Sequence, residues 1–142
     1  MKEICLKAEK ENIDRAFAFV EGELSGIPEI SRKDALRLHM IIDEIFANIC
    51  DYAYKGTKGY VWISFSYDIA KKAVTITFAD DGLPYNPLSA KEQDTTLSAK
   101  EGKPGGLGIF MVKNTVDEIS YENTEGKNIL ILTKIIGGSE HV

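Results

Sequence analysis

A chain of 142 residues predicts one domain, large enough to bury a single core without disulfide or metal staples. Hydrophobic residues at 44% and charged residues at 27% give the balance of a soluble globular protein and point away from disordered, fibrous and membrane-spanning classes. The formal charge of -5, with a pI near 5.1 and no Lys/Arg cluster, argues against nucleic-acid binding, which needs a concentrated basic face.

Residues 2–8 alternate and predict a short strand, and residues 11–26 carry Ile13, Phe17, Val20 and Leu24 at helical spacing until Gly26 and Pro28 end the helix. Ser31 followed by Asp34 marks the start of a second helix. It is predicted to run to about Tyr54, with Leu38, Ile41, Ile45, Ile49 and Tyr52 facing the core. After a turn at 55–59, residues 60–69 and 73–79 are rich in β-branched and aromatic types and form a hairpin through Ala70-Lys71-Lys72. The polar stretch 85–103 is long for a compact domain and reads as a lid. Helical spacing resumes over 106–116, and strands at 119–122 and 128–135 close the chain around a Glu125-Gly126-Lys127 turn. The tail at 137–142 is expected to fray, leaving a single domain at 1–136. This order predicts an α+β fold, a two-layer sandwich of a mostly antiparallel sheet with helices on one face.

Cys5 and Cys50 lack metal-ligand spacing, sit among apolar residues and read as reduced, buried thiols of a cytoplasmic protein. The N-terminal residues are not a signal core, and no apolar run is long enough to span a membrane. His39 and His141 join no nucleophile motif, which leaves triad hydrolysis without support, and His39 reads as a helix-surface residue. Trp62 reads as sheet packing rather than a base-stacking platform.

Three places carry chemistry. Glu44 and Asn48 lie four apart on one helix face and border the core stripe, with Asp51 near the same angle. They offer a proton acceptor beside an amide oxygen able to ligate Mg²⁺. Asp80 ends an apolar strand, where a partly desolvated carboxylate needs a donor such as the amine of a ligand base, and Gly82 after it permits close backbone approach. Gly105-Gly106-Leu107-Gly108 opens a helix whose backbone N–H groups can hold phosphate, with Lys103 just before as a candidate charge. It matches neither the P-loop nor the dinucleotide template.

The segments Asp43-Glu44-Ile45-Phe46-Ala47-Asn48, Asp80-Asp81-Gly82-Leu83-Pro84-Tyr85-Asn86-Pro87 and Gly105-Gly106-Leu107-Gly108-Ile109-Phe110-Met111-Val112-Lys113, in this order, resemble the N, G1 and G2 boxes of the GHKL (Bergerat-fold) ATPases. Within them, the small size, the short lid and the closing segments Val116-Asp117-Glu118-Ile119-Ser120-Tyr121 and Gly126-Lys127-Asn128-Ile129-Leu130 resemble the bacterial anti-sigma-factor serine/threonine kinases. The resemblance implies ATP and Mg²⁺ as cofactors, with Glu44 as base and Asn48 as the Mg²⁺ ligand. Asp80 would bind the adenine amine, Gly82 would shape its pocket, and Gly106, Leu107 and Gly108 would stand at the phosphates. Thr133 would support adenine through water. The resemblance implies an anti-sigma-factor antagonist as the phosphorylated partner, a sigma factor as the second partner, and homodimers. Asp51 and Lys103-Pro104 depart from the family pattern at the phosphate end. The alternative is a non-catalytic, ATP-gated binding module.

Overall fold

Alternation of side chains between its two faces organises the sheet. In β2 (Tyr60–Asp68) and β3 (Ala73–Asp80), Val61, Ile63 and Phe65 and then Val74, Ile76 and Phe78 point to one face and are buried. In the last strand, β5 (Lys127–Ile135), Leu130 and Leu132 join them. The structure, a computed structural model, describes residues 2–28, 30–55, 57–89 and 105–137. With β1 (Lys2–Lys7) and β4 (Glu118–Thr124), the strands form a five-stranded antiparallel sheet in the order β1-β2-β3-β5-β4. The β2–β3 hairpin stands as the sequence predicts. The β4–β5 turn has both Glu125 (φ 53°) and Gly126 (φ 77°) left-handed, the geometry that suits the right-handed twist of a two-residue hairpin.

The helices α1 (Ile13–Leu24), α2 (Arg32–Asn48) and α3 (Gly105–Thr115) cover one face. Ala16, Val20 and Leu24 of α1 share one core with Leu38, Ile41, Ile42, Ile45 and Phe46 of α2 and Ile109 and Val112 of α3. Ser31 caps α2 by accepting the Asp34 N–H at 3.0 Å. The opposite sheet face carries no helix among the described residues and holds Trp62, Thr75, Ile129, Ile131 and Thr133, with the Lys127 ammonium 4.4 Å from the Trp62 ring centre. No helix among the described residues is long and apolar enough to cross a membrane.

Several expectations change. The α-helix of α2 stops at Asn48 and continues as a π-helical turn, Ile49–Ala53, in which the Tyr54 N–H reaches back to the Ile49 carbonyl at 3.3 Å. The wider turn carries Tyr52 off the core stripe, and its ring stacks on Tyr85 at 5.0 Å. Cys5 is exposed on the open sheet face and Cys50 is half-buried, so neither is the buried thiol expected; desolvation raises the Cys50 pKa to about 11, which makes it a poor nucleophile. His39 is half-buried, its ring against Phe17, rather than on the surface. Residues 85–89 belong to the fold, with Pro87 buried in a short 3₁₀ turn (Pro87–Ser89), so the expected lid shrinks to 90–103, which lies outside the described residues. Gly137 is anchored rather than frayed, its N–H on Asp34 at 3.2 Å; the rest of the tail, 138–142, lies outside the described residues.

Candidate functional site

The last α-helical turn of α2 sets the first part of the site. Asn48 is buried at 7% exposure, and its Nδ2 has no hydrogen-bond partner among the described residues. Leaving a buried amide unpaired costs about 1–3 kcal/mol, a cost met where a ligand makes up the bond. One turn earlier Glu44 is half-buried and its pKa is raised, first by desolvation and then by the charges of Asp43 and Asp51, while the Asn48 amide pulls the other way without reaching bonding geometry.

Glu44 also meets the Gly-rich helix start. A Cβ built on Gly108 would lie 1.9 Å from the Glu44 carboxyl carbon, so the carboxylate rests on the bare Cα of α3's first turn. The structure thereby joins two of the three segments picked from sequence. The N–H groups of the first turn, which starts at Gly105 and includes Gly106 and Leu107, have no partner within the helix and carry its positive dipole end. Lys103 lies outside the described residues.

The third segment follows β3. Asp80 is 3% exposed, and burial raises its pKa against the opposing hydrogen bonds from Asn128 and Gly82. Oδ1 accepts the Gly82 N–H at 2.9 Å and the Asn128 Nδ2 at 2.8 Å, whereas Oδ2 takes no hydrogen bond among the described residues. Gly82 is required by a close approach to the end of the π-helical turn. A Cβ there would lie 2.5 Å from the Ala53 carbonyl oxygen, the same oxygen that accepts the Leu83 N–H at 2.7 Å. The buried Tyr54 hydroxyl completes this junction between α2 and the turn: it accepts the N–H groups of Tyr60 and Asp81, both at 3.1 Å, and has the Tyr60 carbonyl (2.6 Å) and Asp81 Oδ1 (2.8 Å) as acceptors for its one proton. Burial pushes its pKa up to about 12.

Asn48 and Asp80 line one small cavity of about 20 Å³ together with Ile45, Phe78, Tyr85 and Asn128. A much larger cavity, about 880 Å³, is lined by Lys10, Cys50, Asp51, Lys58 and Tyr60 and contains none of the predicted site residues. Its size comes from open space between charged surface groups.

Two sequence expectations fail here. Thr133 faces the open side of the sheet, its hydroxyl 3.3 Å from that of Thr75, because strand alternation gives the helix-facing side to Asn128, Leu130, Leu132 and Lys134. It is not part of the site. Asp51 does not share the cleft wall with Glu44 and Asn48; the π-helical turn swings it to Lys10, 2.8 Å away, whose pKa rises chiefly through that hydrogen bond. Lys10 is thus the cation that offsets Asp51, and nothing local in sequence marks it. Asn128 was also missed, although a signal existed: it is a polar residue in the inward phase of an otherwise apolar strand.

The donor set fits a magnesium nucleotide. Among the described residues no group of three or more His, Cys, Asp or Glu could hold a metal ion by itself. Among the described residues, the unpaired Asn48 Nδ2 is a donor suited to a phosphate oxygen, the unshared Asp80 oxygen is an acceptor suited to a base amine, and the first-turn N–H groups of α3 are further donors.

A model of the histidine kinase-like ATPase domain matches residues 6–134. The serine/threonine-protein kinase BtrW of Bordetella bronchiseptica is 29% identical over 97 residues, covering 68% of this chain and 67% of that protein. The serine-protein kinase RsbW of Bacillus mycoides is 27% identical over 103 residues, 70% of this chain, and the chain spans 62% of its length. Among solved structures, the RsbU and RsbW domains of Rv1364c from Mycobacterium tuberculosis superpose with a TM-score of 0.64 at 16% identity, covering 96% of this chain and 33% of that one, a likeness of fold alone. With the family match running through nearly every described element, the chain belongs to the histidine kinase-like ATPase domain family.

Proposed function

We propose that the chain is an ATP- and Mg²⁺-dependent serine/threonine protein kinase of the anti-sigma-factor type, which phosphorylates a small antagonist protein and also holds a sigma factor. The observation that carries the reading is the convergence of Glu44 with the Gly108 turn, and of Asn48, one helical turn after Glu44, with Asp80 in one cavity. The kinase names of the relatives support the class of reaction, and their modest identity leaves the partners to the resemblance.

Bound Mg²⁺–ATP supplies the phosphoryl group and the metal charge that offsets its oxygens. The protein's own groups do the rest. Asp80 Oδ2 accepts a hydrogen bond from the adenine amine. Asn48 would hold the metal through its amide oxygen, and the N–H groups of Gly106, Leu107 and Gly108 would meet phosphate oxygens. Glu44 would take the proton of the acceptor hydroxyl, whose oxygen bonds the γ-phosphorus as the bond to the leaving ADP breaks. Its raised pKa makes it a stronger acceptor than an exposed carboxylate.

The test is transfer of labelled γ-phosphate to a co-purified partner. Wild type should phosphorylate it, and Glu44→Gln should lose about a hundredfold to ten-thousandfold in rate with ATP affinity kept. A tight ATP-dependent complex without transfer by wild type would replace the kinase with an ATP-gated binding module. Equal transfer by both proteins would remove Glu44 as the base.

A further inference from the structure

Asn128 has every hydrogen-bonding position of its side chain in use. It is 4% exposed and sits at the start of β5, beside Asp80 in the sheet register. Nδ2 donates to Asp80 Oδ1 at 2.8 Å and to the Leu83 carbonyl at 2.9 Å. Oδ1 accepts from the Tyr85 N–H at 3.2 Å, from the Asn123 amide at 3.0 Å and from the Tyr121 hydroxyl. Turning the amide over would set its oxygen against a carboxylate and a carbonyl and its hydrogens against donors, so only one orientation is consistent with this network.

Two consequences follow for Asp80. Its Oδ1 is claimed by the Asn128 amide and the Gly82 N–H together, which fixes the carboxylate plane and leaves Oδ2 as the oxygen open to a ligand. The same amide ties down the backbone on both sides of Pro84, at Leu83 and Tyr85, so the turn that frames the cavity cannot slide relative to Asp80. Asn128 itself has no hydrogen left to give a base.

We propose that Asn128 is the positioning residue that makes this site select a 6-amino purine: it holds Asp80 as a fixed acceptor, so that a base with an amine at that position bonds and a base with a carbonyl is repelled. The inference rests on the adenine reading of Asp80 given above and adds the group that enforces it.

The experiment compares calorimetric affinities for Mg²⁺–ATP and Mg²⁺–ITP, whose bases differ in having an amine or a carbonyl at the recognised position. Wild type should prefer ATP by about tenfold to a hundredfold, the worth of one charge-assisted hydrogen bond. Asn128→Asp keeps the shape but turns an oxygen toward Asp80, so the two carboxyls share a proton. The preference should fall to within about twofold, with ITP binding held or improved. Tyr121→Phe removes one donor to Asn128 without adding charge and should lower the preference in the same direction by about threefold, which keeps the test open if the first variant does not fold. A variant that folds and loses ATP and ITP affinity by the same factor, with the preference unchanged, would overturn the inference and reduce Asn128 to a structural clip. Wild type that binds both nucleotides equally would overturn the adenine reading of Asp80, and this inference with it.

Discussion

Glu44 is held as a carboxylate in a place that disfavours its charge, and this has a signature in stability. Its folded-state pKa lies above the unfolded value, so ionisation penalises the native state once the pH rises through the folded pKa, and the penalty is absent below the unfolded value of about 4.3. Glu44→Gln should therefore raise the urea midpoint at about pH 7, and the gain should vanish at about pH 3.5, where the wild-type group is protonated. A midpoint at neutral pH that does not rise, or a gain that persists in acid, would show that the carboxylate is not desolvated. Asp80→Asn should weaken ATP by about tenfold to a hundredfold in calorimetry with GTP little changed, since guanine presents a carbonyl where adenine has its amine. The placement of Glu44, Asn48 and Asp80 around the candidate site was legible because it is written in local spacing: a helical four-residue repeat and a carboxylate at the end of an apolar strand. Asn128 and Lys10 were not, because Asn128 acts on a residue far away in sequence and Lys10 meets Asp51 only through a turn the sequence does not announce. Thr133 was misplaced for a plain reason, since the strand's phase puts it on the other face.

The π-helical turn is the device that couples α2 to the Asp80 turn. By ending the regular ladder at Asn48 it presents the Ala53 carbonyl to the Leu83 N–H and carries the Tyr54 hydroxyl to Tyr60 and Asp81. Apolar spacing from Leu38 to Tyr52 is continuous with an ordinary helix, so the sequence alone predicts no widening there. Gly82→Ala should cost about 1–3 kcal/mol, because its Cβ would meet backbone atoms of Ala53 at 2.5 and 2.8 Å that have little room to yield. Tyr54→Phe should cost about 1 kcal/mol by removing the hydroxyl that accepts the N–H groups of Tyr60 and Asp81 in part-buried hydrogen bonds. Urea unfolding checks both. A Gly82→Ala protein as stable as wild type would mean that the turn and the helix end are not locked together.

Across the whole molecule, the start of α2, the last strand and the chain beyond it meet at Asp34. This fully buried carboxylate accepts the Gly137 N–H and lies 3.4 Å from Arg37 and 3.8 Å from the ammonium of Lys134, itself 7% exposed. Asp34→Ala should destabilise by about 3–5 kcal/mol by stranding the buried lysine, and adding Lys134→Met should recover much of that loss in the same urea assay. The α+β class, the helices and both hairpins were legible from periodicity. The placement of β5 between β3 and β4 was not, because it depends on pairing across α3 and 90–104 rather than through a turn. That pairing brings Asn128 to Asp80, and so the sheet order itself builds the proposed nucleotide site. The most direct test of that site is a nuclear magnetic resonance titration with Mg²⁺–ATP, following the Asn48 side-chain amide and the backbone amides of Gly82 and Gly108. All three should shift together and saturate at one ligand per chain. Shifts confined to Lys10, Asp51 and Tyr60 around the larger cavity, or none at all, would contradict the account.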